Sequence, residues 1–402
     1  MIDALLRKGV QVPHPASVYI GAEVRMDAIE AGVILHAGSR IEGARTSIGA
    51  GSVIGREGPA VVIDCQLGRK VQLGSGFFES SVFLDGASMG GNAHVRPGCL
   101  IEEEASGAHA VGLKQTVLLP YVTLGSLINF CDCLMAGGTS RKNHSEVGSS
   151  YIHFNYTPRQ DKATASLIGD VARGVLLDQP PIFLGGQGGL VGPVRIAFGS
   201  MVQAGQVVRR DILSPEQTAR AGMAPGTSRE FDPRVYGAIR RVVTNNLAYI
   251  GNIKALRAWY REVRAPFMRS DAALHACHEG ALRVLELILA ERIKRLDDVA
   301  QKIPRSISLL EKSLSDPATA EALGQQRAWL AAWPAMKEKL ERDDDRDDPG
   351  GISSRAAAEA SAAGGRDVSF LAWVQSLDAT TRARVTDWMT AIVQKATLLW
   401  NI

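Results

Sequence analysis

His144 closes the polar segment AGGTSRKNHS (136–145), and His153 stands just before the pair Asn155-Tyr156. An imidazole titrates close to neutrality, so a loop histidine can take a proton from an attacking amine at physiological pH. His144 is the candidate base on this ground. His153 alternates with Ile152 and Phe154, a period-two pattern that predicts a strand and a hydrogen-bonded wall residue. His94 and His109 have weaker claims. Other chemistries find less support. His275, Cys277 and His278 are close in sequence, but a helix turns three such ligands to different sides, so no metal site is predicted. Cys65, Cys99, Cys131, Cys133 and Cys277 lack a disulfide-like spacing and read as reduced thiols of a cytoplasmic protein. No glycine-rich phosphate loop follows a strand. The net charge of +3 gives no nucleic-acid footprint.

The elements that must hold these residues are announced by a repeat. Ile29, Leu35 and Ile41 recur every six positions, as do Phe83, Met89, Val95 and Ile101, then Leu118, Leu124 and Phe130, and finally Leu190, Ile196, Val202 and Val208. Six fits neither a helix nor a hairpin sheet. It fits a solenoid with three short faces per coil, one aliphatic residue per face pointing inward. Glycine often follows the aliphatic residue, as at Ile48-Gly49 and Val147-Gly148, and is expected at corners where φ turns positive. The fold class is therefore a left-handed parallel β-helix, a hexapeptide-repeat solenoid, over 18–212, after a lead-in at 1–17. Segments 102–116, 136–145 and 154–188 break the rhythm and are expected to form outward loops, the usual carriers of function.

An α-helical C-terminal domain follows. A linker is expected at 213–232. Apolar residues then recur at steps of three and four from Val235 to Tyr260 and from Leu282 to Val299, two amphipathic helices, the second ending at Pro304. A third helix covers 317–340 and completes a helical domain at 233–340. The acidic and Ala/Gly-rich stretch 341–366 reads as a flexible linker, and 367–402 as a last helix. Trp259, Trp329, Trp333, Trp373 and Trp388 read as core. The start of the chain, MIDALLRKGVQVPHP, has no long apolar run, and no stretch reaches the ~20 residues of a membrane span.

The segments HVRPG (94–98), VGLKQT (111–116), HFNYTPRQDKAT (153–164), IGD (168–170) and LVGPVRIAFGSMVQAGQVV (190–208) together resemble the acetyltransferase half of the bacterial bifunctional glucosamine-1-phosphate acetyltransferase/N-acetylglucosamine-1-phosphate uridylyltransferase. The resemblance implies a homotrimer with active sites in clefts between columns, and acetyl-coenzyme A as donor. It implies that Arg96 and Lys114 grip the phosphate of a sugar phosphate or nucleotide sugar, a planar fork and a point charge on anionic oxygens. It makes Lys162 another substrate contact and sets Asn155 and Tyr156 along the coenzyme. Three positions depart. The family's catalytic histidine aligns with Ser126, its nearby tyrosine with Asn129, and its next substrate-binding asparagine with Glu146. Asn129 and Glu146 remain substrate-lining candidates, and the base must be relocated, which returns to His144. Residues 1–17 cannot hold a uridylyltransferase domain, so uridylyl transfer is not expected. Three readings follow: an acyl-coenzyme A-dependent acyltransferase on an amino sugar phosphate or nucleotide sugar; a catalytically silent sugar-nucleotide-binding protein; and a trimeric scaffold whose helical half recruits a protein partner. The helices are expected to cap the open end of the column, cover the cleft or bind that partner.

Overall fold

A computed structural model describes residues 1–402 except 216–217, 220–230, 270, 314–316, 343–350, 363–368 and 401–402. After a short helix, α1 (Ile2–Lys8), the chain winds into a left-handed parallel β-helix. Face 1 has ten strands, from Tyr19–Ile20 to Val207–Val208; face 2 has eight, from Ser47–Ile48 to Arg195–Ile196; face 3 has ten, from Ile34–Leu35 to Thr218–Ala219. The chain visits faces 1, 2 and 3 in turn, and each strand pairs in parallel with its equivalent one coil on, so Phe83 lies between Leu67 and Ile101. The aliphatic residues of the repeat stack inward, and those on face 1 from Ile41 through Val62, Phe78, Val95 and Leu113 to Phe130 are fully buried. Each such side chain contributes roughly 1.5–3 kcal/mol by leaving water.

Two expectations about the repeat change. Most glycines that follow the aliphatic residue serve close approach of coils rather than left-handed backbone. A Cβ on Gly49 would lie 2.6 Å from the carbonyl carbon of Gly68, and one on Gly148 2.4 Å from the amide of Gly186, both at ordinary φ. Gly55 and Gly169 do have positive φ, but many left-handed corners carry side chains, including Gln115 (φ 48°), Leu127 (φ 59°) and Asp132 (φ 61°). Segment 102–116 is no outward loop. It holds regular strands at Ser106–Gly107 and Gly112–Lys114. Gly107 occupies an inward position, where Met89 and Val111 fill the space of the missing side chain. The rhythm was hidden by that one residue. The other two breaks do leave the column. Residues Gly138–Ser140 and Asn143–His144 form an antiparallel hairpin, and 154–188 leaves the column as a loop, returns in a face 2 strand, Ser166–Ile168, makes a single turn of helix, α2 (Val171–Gly174), and rejoins face 3 at Phe183–Leu184.

The helical half comprises α3 (Arg240–Trp259), a π-turn over Tyr260–Arg264, α4 (Ala265–Met268), α5 (Ala272–Leu310), α6 (Pro317–Glu341), α7 (Ile352–Ala362), α8 (Phe370–Ser376) and α9 (Ala379–Thr397). Pro304 does not end its helix: α5 continues to Leu310, because Ile303, Ser306 and Leu310 bury on the same side and tertiary packing outweighs one lost hydrogen bond. The expected linker at 213–232 falls largely outside the described residues, and that at 341–366 does so in part. Within the second, α7 is helical, with Ile352 and Ala356 buried, as an alanine-rich stretch allows once a partner covers it. The last helix is two, divided at Leu377 in extended backbone and restarted by Asp378, whose carboxylate accepts the Thr381 amide at 2.8 Å. The five tryptophans expected in the core are buried.

These helices lie lengthwise on face 2. Along α5, Gly280 sits against Gln66 and Val82, Leu287 against Gly98, and Arg292 against Gln115 and Asp132. α3 runs the other way: Asn245 donates to Asp211 at 2.9 Å, Asn252 accepts the Val171 amide at 2.8 Å, and just beyond the helix Tyr260 donates to Glu102 at 2.6 Å. The reason is in the sequence. The outward row of face 2 is aliphatic, and Val82, Leu100, Val117 and Leu134 are all fully buried beneath the helices. Arg264 enters the same interface between Glu102 and Glu103, under the rings of Tyr260 and Phe370 at 4.8 and 4.3 Å. Burial pushes the Glu102 carboxyl up from the ordinary 4.5 to about 7, against the opposing pull of Arg264. A raised carboxyl binds its proton in the folded state first, so its contribution is complete below pH 4.5 and is lost as pH rises to about 7. In urea titrations across this window, Glu102→Gln should remove a downward slope worth up to about 3 kcal/mol; parallel wild-type and variant curves would contradict this.

Candidate functional site

Arg96 and Lys114 stand side by side at the outward end of face 1. Their strands are in register through Val95 and Leu113, and the Arg96 amide donates to the Leu113 carbonyl at 2.9 Å. Neighbouring strands are ~4.8 Å apart, so the two cations present to one anion. With Phe77, His94, Leu287 and Glu291 they line a groove of about 670 Å³ between face 1 and α5. Arg96 Nη2 lies 3.1 Å from Cys131 Sγ two coils on, beyond Lys114, and Cys131 Sγ lies 3.6 Å from Asn129 Oδ1. Arg96, Lys114 and Asn129 are thus gathered on one face.

Asn155 joins them through a buried chain of polar contacts. Arg292 Nη2 donates to Gln115 Oε1 at 2.9 Å and Asp132 Oδ1 at 2.8 Å. Asp132 Oδ2 accepts from Asn155 Nδ2 at 3.1 Å, and Asn155 Oδ1 accepts from Thr164 at 2.9 Å. Burial raises the Asp132 carboxyl while Arg292 and Lys114 pull it down. Asn155 begins a loop that also carries Tyr156, 68% exposed, and Lys162, in left-handed backbone at φ 52°. The helical half clamps this loop. Arg159 Nε donates to the Val235 carbonyl and Lys302 Nζ to the carbonyls of Arg159 and Gln160, each at 2.8 Å, and Tyr236 donates to Asp161 at 3.0 Å.

His144 and Glu146 are elsewhere. His144 ends the hairpin at the corner between faces 2 and 3, with Nδ1 2.9 Å from the Arg141 carbonyl and Nε2 3.9 Å from Glu146, which lies on face 3. Arg141 and Gln375 tie the hairpin down, to the carbonyls of Glu104 at 2.8 Å and Thr139 at 2.6 Å. Within one chain neither residue meets Arg96 or Lys114. His153 is a hydrogen-bonded core residue, Nε2 2.8 Å from Ser166 Oγ. It takes an inward position between Phe130 and Leu190, and burial depresses its imidazole to about 4. Sequence reasoning missed Arg292 and Lys302, which only the fold brings to the loop. It also passed over His109, whose Nδ1 is 2.9 Å from Ser126 Oγ; the signal was their separation of one coil. Among the described residues no group of three or more His, Cys, Asp or Glu could hold a metal ion.

The chain is similar to the GlmU proteins. Over 214 residues, 52% of this chain and 42% of the relative, it is 27% identical to the bifunctional protein GlmU of Thermotoga petrophila. Over 210 residues, 52% and 40%, it is 30% identical to that of Trichlorobacter lovleyi. The chain thus spans less than half the length of these GlmU relatives. No family model matches. Among solved structures, LpxA from Acinetobacter baumannii covers 69% of this chain and 95% of its own at 14% identity, with a TM-score of only 0.20. The geometry generates its own test. Arg292→Met leaves a buried carboxylate unpaired and should cost about 3–5 kcal/mol in chemical denaturation, most of it recovered in Arg292→Met/Asp132→Asn. A single variant as stable as wild type would show that the pair does not hold the loop.

Proposed function

We propose that the column is an acyl-coenzyme A-dependent acyltransferase whose acceptor is an amino sugar carried as a sugar phosphate or nucleotide sugar. The observation that carries this reading is the pairing of Arg96 and Lys114 in an open groove, with the anchored Asn155 loop beside it, in a column similar to that of GlmU. Arg96 and Lys114 bind the phosphate by charge-assisted hydrogen bonds. Asn129 and Lys162 line the acceptor, and Asn155 and Tyr156 line the donor, taken as acetyl-coenzyme A. In the homotrimer proposed here, the uncovered faces 1 and 3 meet across clefts, and Glu146 lines the groove from a neighbouring copy, with His144 beside it. A cytoplasmic setting suits the free thiols of all five cysteines. A second reading, a silent sugar-nucleotide-binding protein, is favoured by the separation of His144 from the two cations within one chain. The helical half, bound along face 2, is available to a protein partner through its outer side.

Thiol release from acetyl-coenzyme A, followed with glucosamine 1-phosphate and uridine-diphosphate amino sugars as acceptors, decides between them. Turnover is expected with one of these, and Arg96→Ala or Lys114→Ala should raise the acceptor KM at least tenfold, the loss of a charge-assisted hydrogen bond of about 1.5–3 kcal/mol. Tight sugar-nucleotide binding in calorimetry without any thiol release would establish the second reading instead.

A further inference from the structure

We propose that His109, held by Ser126, is the general base of this acyl transfer, an inference that rests on the acyltransferase reading above. The two residues sit on the corner where face 3 turns into face 1. Ser126 Oγ lies 2.9 Å from His109 Nδ1. Their backbones are locked one coil apart: the Leu127 amide donates to the His109 carbonyl and the Ala108 amide to the Leu124 carbonyl, each at 3.0 Å. Ala110 (φ 57°) and Leu127 (φ 59°) fix the corner in left-handed backbone, and the Ser126 amide donates to Ser149 Oγ at 3.2 Å. In the tautomer that donates Nδ1–H to the serine oxygen, Nε2 carries the lone pair, and among the described residues no hydrogen bond reaches Nε2. That is the arrangement a base needs: one nitrogen oriented, the other open.

The position relative to the cations is equally specific. His109 enters the strand that Lys114 leaves. Five residues of extended chain span ~16 Å at most, and the reach of a lysine and a histidine side chain shortens this to the scale of a sugar ring. Midway stands Gly112, flanked in the ladder by His94 and Asn129. A Cβ on Gly112 would touch nothing nearer than 3.7 Å, so the face is dented there. A phosphate on Arg96 and Lys114 therefore leaves the attached sugar over Gly112 and its amine toward His109. The amine nitrogen attacks the thioester carbonyl; the C–N bond forms and the C–S bond breaks. The amine proton passes to His109 Nε2 and from there to the departing coenzyme A thiolate.

The other histidines serve less well. His94 packs against Phe77 with ring centroids 5.2 Å apart and planes tilted by 34°, and among the described residues no hydrogen bond fixes its tautomer. His153 faces the core, and His144 stands at another corner. In the 402-residue chain, with acetyl-coenzyme A and glucosamine 1-phosphate or a uridine-diphosphate amino sugar as acceptor, His109→Gln should lower kcat by about 10²–10⁴ and abolish the acidic limb of the pH–rate profile, with calorimetric sugar-nucleotide affinity unchanged. Ser126→Ala should lower kcat less and shift that limb, and Ser126→Thr should restore it. Wild-type kcat in His109→Gln, the same loss in His94→Gln or His144→Gln instead, or an acyl group trapped on Ser126 would each overturn the assignment. Absence of thiol release by the wild type removes the acyl-transfer reading and the base with it, whereas turnover that survives His109→Gln removes the base alone.

Discussion

Everything functional in this chain depends on one buried contact, the seating of two long helices on the aliphatic outer row of face 2. An aliphatic row on a regular column is attractive but ambiguous. Sliding the helices by one coil, ~4.8 Å, would bury nearly the same apolar area. Directional groups remove the ambiguity. Arg264 finds Glu102 and Glu103, and Arg292 finds Asp132 and Gln115. Desolvating such pairs costs about what their attraction returns, so their contribution is register more than stability. The aliphatic row supplies the driving force, and the arginines choose the one position in which it is spent.

Register matters because the helical half reaches into the site. α5 forms one wall of the groove beside Arg96 and Lys114 through Leu287 and Glu291. Arg292 holds Asn155 through Asp132, and Lys302 and Tyr236 hold the loop that follows. The loop has left the sheet and lacks ladder hydrogen bonds of its own. Its shape is held by groups 75 to 143 residues away in sequence, so the two halves meet at the groove, where the column carries Arg96 and Lys114 and the helical half holds the loop beside them.

The column was legible because a six-residue period has few physical solutions, and the inward positions from Ile29 to Val208 follow it. It failed to show where Gly107 left an inward position empty and where the strands Ser166–Ile168 and Phe183–Leu184 return to the column within 154–188. The covering of face 2 was also written in the sequence, as the doublets Val82-Phe83, Leu100-Ile101, Val117-Leu118 and Leu134-Met135, in which an outward apolar residue precedes each inward one. That signal needs knowledge of which face each doublet occupies. Arg96, Lys114 and Asn129 were legible through the family resemblance, and the stacked coils give the physical reason they gather on one face. The buried links through Arg292 and Lys302 could not, since helix packing on a column has no sequence period to reveal it. Pro304 misled for a related reason: local propensity ends a helix there, and tertiary burial of Ile303 and Ser306 carries it on.

A solenoid also constrains how a site can be rearranged. Outward residues on one face occupy a lattice with a step of ~4.8 Å between coils and two residues along the strand. A side chain moved by one coil keeps its orientation relative to the face and shifts by less than its own length. Function on such a lattice tolerates displacement in a way that a site on irregular loops does not. The rigid ladder carries the geometry, while the side-chain identities are distributed over equivalent places. His109 and Ser126 are such neighbours, one coil apart and hydrogen-bonded. His144 belongs to an inserted hairpin outside the lattice, so its distance from the groove is set by the hairpin and by the packing of copies. The lattice therefore favours the ordered corner over the insertion.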